Sequence, residues 1–467
     1  MRIAFVNQPI DTILPPYQSS VGACTYGVAC SLAQRDDCEV IVYGSKDANK
    51  MVAGDEVVQR NVRFRFFPTT AGDRLLQQLR NKYSKFVRLS SPASTSSLHF
   101  PAFSRSVAMD LRKRRCDVIH VQHCSQYVPV IRALNPTARI VLHLHAEWFS
   151  QNKHAPLERR LRQCDLVTAV SDYVAAKTRR DFPAIADRCV TTYNGIDAAE
   201  FQRERDYSET ARRSPKRIMY AGAVSPHKGV HVLLEAFKTV VKRYPDVRLD
   251  IVGFQGTYGL EETFDMKDRA ALASVAPFYA RNYVARLKAK LSLAPADAGT
   301  YLSYLKAQLS PDVRDKVAFL GLVPRSALLD GYFDADIFAF APVWDEGFGI
   351  PPVEAMAAGT PVVASRSGAI VETVEDQETG FLVDKNDAQG LARSLLTLLE
   401  DDSLRERMGR AGRERALKHF TWDGVAETMY GRYRSLCEAV PATGAAISIP
   451  KGRSLPAVLK RTNAHHF

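Results

Sequence analysis

Two doubly wound α/β domains are what this sequence predicts, from three observations: its length, two series of short apolar runs, and the helical patterns between them. At 467 residues the chain exceeds what one ordinary hydrophobic core takes up, and two domains of roughly 200 residues each are expected. With 46% hydrophobic and 24% charged residues, the composition excludes a disordered chain.

The first series of runs is Ile3–Asn7, Glu39–Tyr43, Val118–Gln122, Ile140–His145, Leu166–Val170 and Cys189–Tyr193. They are rich in Val and Ile and continuous rather than alternating, as parallel strands covered on both faces must be. The second series is Arg217–Ala221, Arg248–Val252, Val317–Leu320, Ile337–Ala341, Pro361–Ala364 and Gly380–Val383. Helical spacing lies between them, as over Val230–Tyr244 and Ala388–Glu400, so each half reads as alternating strand and helix.

Residues 1–197 form the predicted first domain and 198–415 the second, joined near the polar, Arg-rich stretch 197–214. Residues 416–440 read as a helix crossing back to the first domain, and 441–467 as a basic tail. Two segments interrupt the pattern. Residues 72–103 contain the low-complexity run SSPASTSS and read as a mobile loop. Residues 255–315, far longer than a usual connection, carry helical spacing and the tyrosines 258, 279, 283, 301 and 304, and read as an inserted helical subdomain.

Charge is regional. The chain carries +12 overall, yet residues 74–115 hold ten Lys or Arg against one acid, Asp110, and the stretch after Glu438 adds four cations and no acid. Together these two segments account for the whole excess, which calls for a regional explanation, either a local partner or a solvated helix with none. No window approaches ~18 uninterrupted apolar residues. The opening MRIAFVNQPI is too short an apolar run for a secretory leader and reads as a buried first strand of a cytoplasmic protein. The eight cysteines include no CxxC pair, the pattern of reduced, buried thiols.

The stretch with the most chemical content is Asp345–Ser365, DEGFGIPPVEAMAAGTPVVAS. Pro351 and Pro352 suit the first turn of a helix, Gly359 supplies its C-terminal cap, and Pro361 stops it before the next strand. A Gly-rich loop therefore feeds a helix N-terminus at the carboxyl edge of a parallel sheet, where free N–H groups and the helix dipole suit a pyrophosphate. Glu354 is placed in the first turn and Glu346 in the loop before it, both able to face one cleft; the plainer reading makes them capping carboxylates. In Gly222–Val230, GAVSPHKGV, Lys228 can reach a phosphate as a point charge, although a lysine at a helix start is more often simply solvated.

Glu346 and Glu354 within EGFGIPPVEAMAAGTPVV resemble the paired glutamates of family 4 retaining glycosyltransferases of the GT-B fold. The resemblance extends over residues 1–440, through Gly22, His145, NGID at 194–197, HKG at 227–229 and ETGFLV at 378–383. It implies two Rossmann-like domains facing a cleft, with a nucleotide-sugar donor held mainly by the second. Glu354 would then bind the ribose hydroxyls. Glu346, with the amides of Gly347, Phe348, Gly349 and Ile350, would address the transferred sugar. Lys228, in the loop of Gly222 and His227, would neutralise the diphosphate, and the Gly321, Leu322 and Val323 backbone would border the base. His145 and Gly22 would reach sugar and phosphate from the other domain, and Glu346, His145 and Lys228 would be the catalytic set. No cofactor and no metal is expected, because a lysine and fixed backbone donors can meet the charge on the leaving diphosphate.

The chain also departs from that pattern. Ala223 stands where the family has an arginine, with His227 as a candidate replacement, and Ser20-Val21-Gly22 replaces a two-glycine loop. The expected acceptor is a glycan or a polyprenyl-diphosphate-linked sugar reached at an anionic membrane surface, with a small soluble acceptor, phosphorylated or not, as the alternative. His120, His123, His143 and His145 invite a zinc reading, but no carboxylate or cysteine pattern completes the ligand set. LRKRRC at 111–116 invites a nucleic-acid reading, but no aromatic-plus-basic motif or helix-turn-helix accompanies it, and it reads as the polar end of a helix.

Overall fold

The computed structural model describes residues 1–16, 18–83, 96–147, 155–254, 269–280 and 300–439. Its first lobe is built on a sheet of β1 (Arg2–Val6), β2 (Glu39–Ser45), β3 (Glu56–Gln59), β4 (Val62–Phe67), β5 (Val118–Gln122), β6 (Arg139–Leu144), β7 (Leu166–Ala169) and β8 (Cys189–Thr191), in the order β3-β4-β2-β1-β5-β6-β7-β8. The second sheet takes β9 (Lys216–Ala221), β10 (Val247–Val252), β11 (Val317–Gly321), β12 (Ile337–Phe340), β13 (Val362–Ser365) and β14 (Gly380–Val383), ordered β11-β10-β9-β12-β13-β14. The pairings are parallel except β3 with β4. Every apolar run of the two series is a strand, with ends shifted by no more than two residues.

Helices of the first lobe are α1 (Ser20–Leu32), α2 (Ala71–Tyr83), α3 (Pro101–Arg114), α4 (Val128–Leu134), α5 (Ala155–Leu161) and α6 (Asp172–Asp181). Those that follow in the second are α7 (Tyr207–Arg212), α8 (Val230–Arg243), α9 (Arg269–Ala280), α10 (Tyr301–Ala307), α11 (Pro311–Arg314), α12 (Arg325–Asp334), α13 (Ile350–Ala357), α14 (Ile370–Thr373), α15 (Ala388–Glu400) and α16 (Asp402–His419). The last, α17 (Trp422–Glu438), returns to the first lobe. There it packs on α1, buries Met429, Tyr433 and Leu436 against the sheet, and meets the His120 Nδ1 with the Tyr433 hydroxyl at 2.6 Å. The chain's two passages between lobes run side by side, because Ile196 N–H donates to the Phe420 carbonyl (2.8 Å) and Trp422 N–H to the Ile196 carbonyl (3.0 Å).

One expectation is corrected. Residues 72–103 are not simply a loop: α2 and α3 occupy both ends, and 84–95 lie outside the described residues. Asp73 ties the two helices, its carboxylate accepting from the Ala102 and Phe103 amides at 3.0 and 3.1 Å. It thereby supplies the N-terminal cap that Phe100 cannot. The β3–β4 hairpin was not expected either.

Within 255–315 the described parts, α9 to α11, are helical, and an aromatic cluster of Phe278, Tyr301 and Tyr304 packs against His231 at the start of α8. Tyr258 and Tyr283, the side chain of Tyr279, and the basic tail lie outside the described residues. Among the eight free cysteines, only Cys437 is exposed. No described helix is long and apolar enough to cross a membrane.

Candidate active site between two sheet edges

The site grows from the loop after β12. The Val343 amide bonds the His227 carbonyl (3.0 Å), tying this loop to the one after β9. Gly349, with φ +86°, turns the chain into α13, and Pro351 and Pro352 occupy its first turn, where their missing N–H groups cost nothing. At the other end Gly359 donates to the Met356 carbonyl and Thr360 to that of Ala355, both at 2.9 Å, the paired closure of a Schellman motif. Glu354 is the fifth residue of α13, not a first-turn residue, so its carboxylate lies one turn along the helix rather than over its N-terminal amides.

Glu346 and Lys228 meet here. The Lys228 ammonium is 2.7 Å from Glu346 Oε2, and the Trp344 indole N–H donates to the same oxygen at 3.0 Å. The Glu346 amide bonds the Ser367 hydroxyl (3.2 Å) and its carbonyl accepts from Ala369 (2.8 Å), so the turn after β13 fixes the loop from behind. Glu354 is held differently: Tyr332 donates to Oε2 at 2.8 Å and the Arg325 guanidinium sits 2.6 Å from Oε1. Both carboxylates are nearly buried, Glu346 at 9% and Glu354 at 7% exposure.

The first lobe closes against this loop. A Cβ on Gly347 would lie 2.6 Å from the His145 carbonyl oxygen, so no other residue fits without moving the lobes apart. His145 follows β6 directly. Its ring Nε2 lies 2.7 Å from the Gln122 amide oxygen, which makes that nitrogen the donor and Nδ1 the acceptor. Burial, helped by His143 and His123, pushes its pKa well below the usual range, and the ring is neutral at pH 7. A second closure comes from Glu372, whose carboxylate accepts from the Asp172 and Tyr173 amides at 2.8 and 2.7 Å, capping α6 across the cleft. Burial raises this carboxyl to about 7.

Gly22 is the third residue of α1 rather than part of a loop. Its amide bonds the N-cap hydroxyl of Ser19 (3.1 Å), and its place is set by the Thr12 carbonyl, 1.9 Å from where a Cβ would be. Gly222, Gly253 and Gly321 link the carboxyl ends of β9, β10 and β11, with Gly222 donating to Val252 (3.0 Å) and Gly253 to Gly321 (2.8 Å). Leu322 next to them is 69% exposed, whereas Val323 is half-buried. His227 is 3% exposed, and burial, reinforced by Lys228, holds it neutral, so it brings no second positive charge to the loop that lacks the arginine.

The structure therefore gathers Lys228, Glu346, Gly347 to Ile350 and His145 at one place, with Glu354 one helical turn further. Arg325, Tyr332, Trp344 and Gln122 complete the hydrogen bonding and were not predicted. Trp344, two residues from Glu346, had a local signal; Arg325 and Tyr332 lie 29 and 22 residues before Glu354 and had none. The four histidines do cluster, His143 and His145 ring centres being 4.7 Å apart and His120 and His143 5.3 Å. Among the described residues, no group of three or more His, Cys, Asp or Glu is placed to hold a metal ion.

Two mostly parallel sheets with facing carboxyl edges and a cation–carboxylate pair beside a helix N-terminus have the architecture of the GT-B class of glycosyltransferases. Residues 25–200 match the model described as Glycosyltransferase Family 4, and residues 202–415 that described as Glycosyl transferases group 1. The chain belongs to the family 4 glycosyltransferases. It is 26% identical over 344 residues to spore coat protein SA of Bacillus subtilis (strain 168), spanning 71% of this chain and 81% of that protein. It is 31% identical over 286 residues to the phosphatidyl-myo-inositol mannosyltransferase of Mycobacterium tuberculosis (strain H37Rv), covering 60% and 61% of the two chains. In fold it is similar to HepE from Anabaena in complex with UDP-glucose, with TM-score 0.60, 18% identity, and coverage of 93% of this chain and 100% of that one.

Proposed function

We propose that this chain moves a hexosyl unit, with retention and without a resident metal, from a UDP- or GDP-sugar to a lipid-linked or glycan acceptor. The setting is the assembly of a cell-surface polysaccharide or glycolipid, on the cytoplasmic face of a membrane. The observation that carries this reading is the 2.7 Å contact of Lys228 with Glu346, directly before the amides of Gly347 to Ile350 and opposite His145. A diphosphate bound at Lys228 and the α13 N-terminus has its charge met where it grows, as the bond from the anomeric carbon to the phosphate oxygen breaks. The acceptor oxygen bonds that carbon from the same face and gives its proton to the departing diphosphate. Glu346 and the neutral His145 hold the sugar hydroxyls, and Glu354 the ribose. The UDP-glucose bound to HepE supports a nucleotide-sugar donor.

A thermal-shift panel of UDP, GDP and their sugars tests the donor. A true ligand at a hundredfold excess over Kd adds about 2.7 kcal/mol of stability. One base should shift the melting temperature and the other should not. Transfer should persist in EDTA; loss that Mg²⁺ or Mn²⁺ restores would refute metal independence.

The acceptor reading draws on α2 and α3. Leu75 and Leu79, one turn apart on α2, are each 55% exposed, and Met109 on α3 is 48% exposed, amid the exposed cations Arg74, Arg105, Arg112 and Lys113. An apolar ridge among cations suits docking on anionic headgroups, where each Lys or Arg contributes about 1 kcal/mol. The protein should sediment with anionic but not neutral vesicles, and Leu75→Glu/Leu79→Glu should abolish this. If it stays in the supernatant with both at low salt, a small soluble acceptor, phosphorylated or not, replaces the membrane reading.

A further inference from the structure

Glu354 is not held by its own helix. Its two oxygens are taken up one each by Arg325 and Tyr332, both from α12. Arg325 is the first residue of that helix, immediately after the Gly321–Val323 turn and Pro324. Its other edge grips a second carboxylate, with Nε 3.2 Å from both oxygens of Glu200 and Nη2 2.5 Å from one. Glu200 lies in the 3₁₀ turn 198–201, where the chain has just crossed from the first lobe to the second. A line of contacts thus runs from the connector through Glu200 and Arg325 to Glu354.

We propose that Arg325 is the positioning residue for ribose recognition: it sets the Glu354 carboxylate to receive the vicinal 2′- and 3′-hydroxyls of a nucleoside diphosphate and anchors that carboxylate to the interlobe connector. This rests on the reading that the donor's ribose binds at Glu354. Each carboxylate oxygen has two lone pairs. With one on Oε1 taken by Arg325 and one on Oε2 by Tyr332, each oxygen keeps one lone pair, the arrangement that accepts two neighbouring hydroxyls. Stripping water from a carboxylate this deep is unfavourable unless a cation with good geometry replaces it. The planar guanidinium can do so while gripping Glu200, which a lysine's point charge cannot reproduce. The side-chain exposures of 36% for Arg325 and 30% for Glu200 leave the outer pair wetter than the inner one, so the inner contact dominates and Glu200 serves as its anchor.

The test is calorimetric titration of the full-length protein with UDP and GDP and their 2′-deoxy counterparts, which reads the ribose without turnover. The natural chain should prefer whichever ribonucleotide it binds over its deoxy form by about tenfold or more, the value of one hydrogen bond to a charged group. Arg325→Gln should weaken both ligands, the ribonucleotide about tenfold more than the deoxynucleotide, which keeps only its 3′-hydroxyl, so that the preference collapses towards one. Arg325→Lys should fall between, and it reads the same ratio should Arg325→Gln fail to fold. Glu200→Gln should lower the preference less than Arg325→Gln does. If Arg325→Gln and Arg325→Lys keep the natural preference while Glu354→Gln abolishes it, Arg325 is only a strap between helix and connector and the proposal is overturned. If Glu354→Gln itself leaves the preference unchanged, the ribose reading fails and the inference with it, a result distinct from the first.

Discussion

Lys228→Ala should lower turnover by about 10²–10³-fold at saturating donor, the usual loss when one preorganised donor to a developing negative charge is removed. The ammonium that meets Glu346 at 2.7 Å is the only cation of its loop, since Ala223 stands in the arginine position and His227 is buried and neutral. Among the described residues 222–229, no other Lys or Arg can take over the leaving diphosphate. Glu346→Gln should also act on kcat rather than on donor Kd. The amide keeps a hydrogen-bonding group at the sugar but no longer pairs with Lys228, so the lysine is held less firmly. Because the two side chains act as a unit, the double variant should cost little more than Lys228→Ala alone. Single-turnover rates with radiolabelled donor measure this directly. A Lys228→Ala enzyme with natural kcat would remove the lysine from the reaction.

Glu354→Ala should act on the other parameter. Two hydrogen bonds from ribose hydroxyls to a carboxylate are together worth about 3 kcal/mol or more, or roughly two orders of magnitude in Kd. Transfer at saturating donor should be much less affected. Arg325 keeps Glu200 in this variant, so α12 and the connector stay joined and the loss reports binding rather than unfolding. Unchanged nucleotide affinity by calorimetry would show that the ribose lies elsewhere.

How much of this was legible follows from how local each signal is. The loop-and-helix unit over 345–365 could be read because its parts are sequence neighbours, namely prolines inside the start, glycine past the end, and a strand beyond. The strands could be read because burial on both faces leaves unbroken Val and Ile runs. The β3–β4 hairpin escaped because Arg60 and Asn61 make its turn, both at positive φ, without the Asn-Gly or Asp-Gly pair that signals such a turn. The bounds of α2 escaped because Leu75 and Leu79 are exposed and the low-complexity run SSPASTSS nearby made 72–103 read as a loop. Arg325 and Tyr332 could not be assigned, since only the folded sheet brings α12 beside α13. A cation at a helix start has many simpler explanations.

The return of α17 sets the order in which the molecule can be assembled. Ile3, Phe5, Val28, Val40, Val118 and Leu166 of the first lobe share one apolar cluster with Val425, Met429, Tyr433 and Leu436. The first lobe therefore keeps an uncovered apolar flank until residues 420–438 have been made, whereas β9 to β14 and their helices can close before then. Early-exposed surface of this kind invites aggregation. A gene fragment ending at the connector encodes a body with one wall missing. A chimera that exchanges lobes between relatives must move residues 420–438 together with 1–197, because by packing they belong to the first half although the sequence places them at the far end of the second.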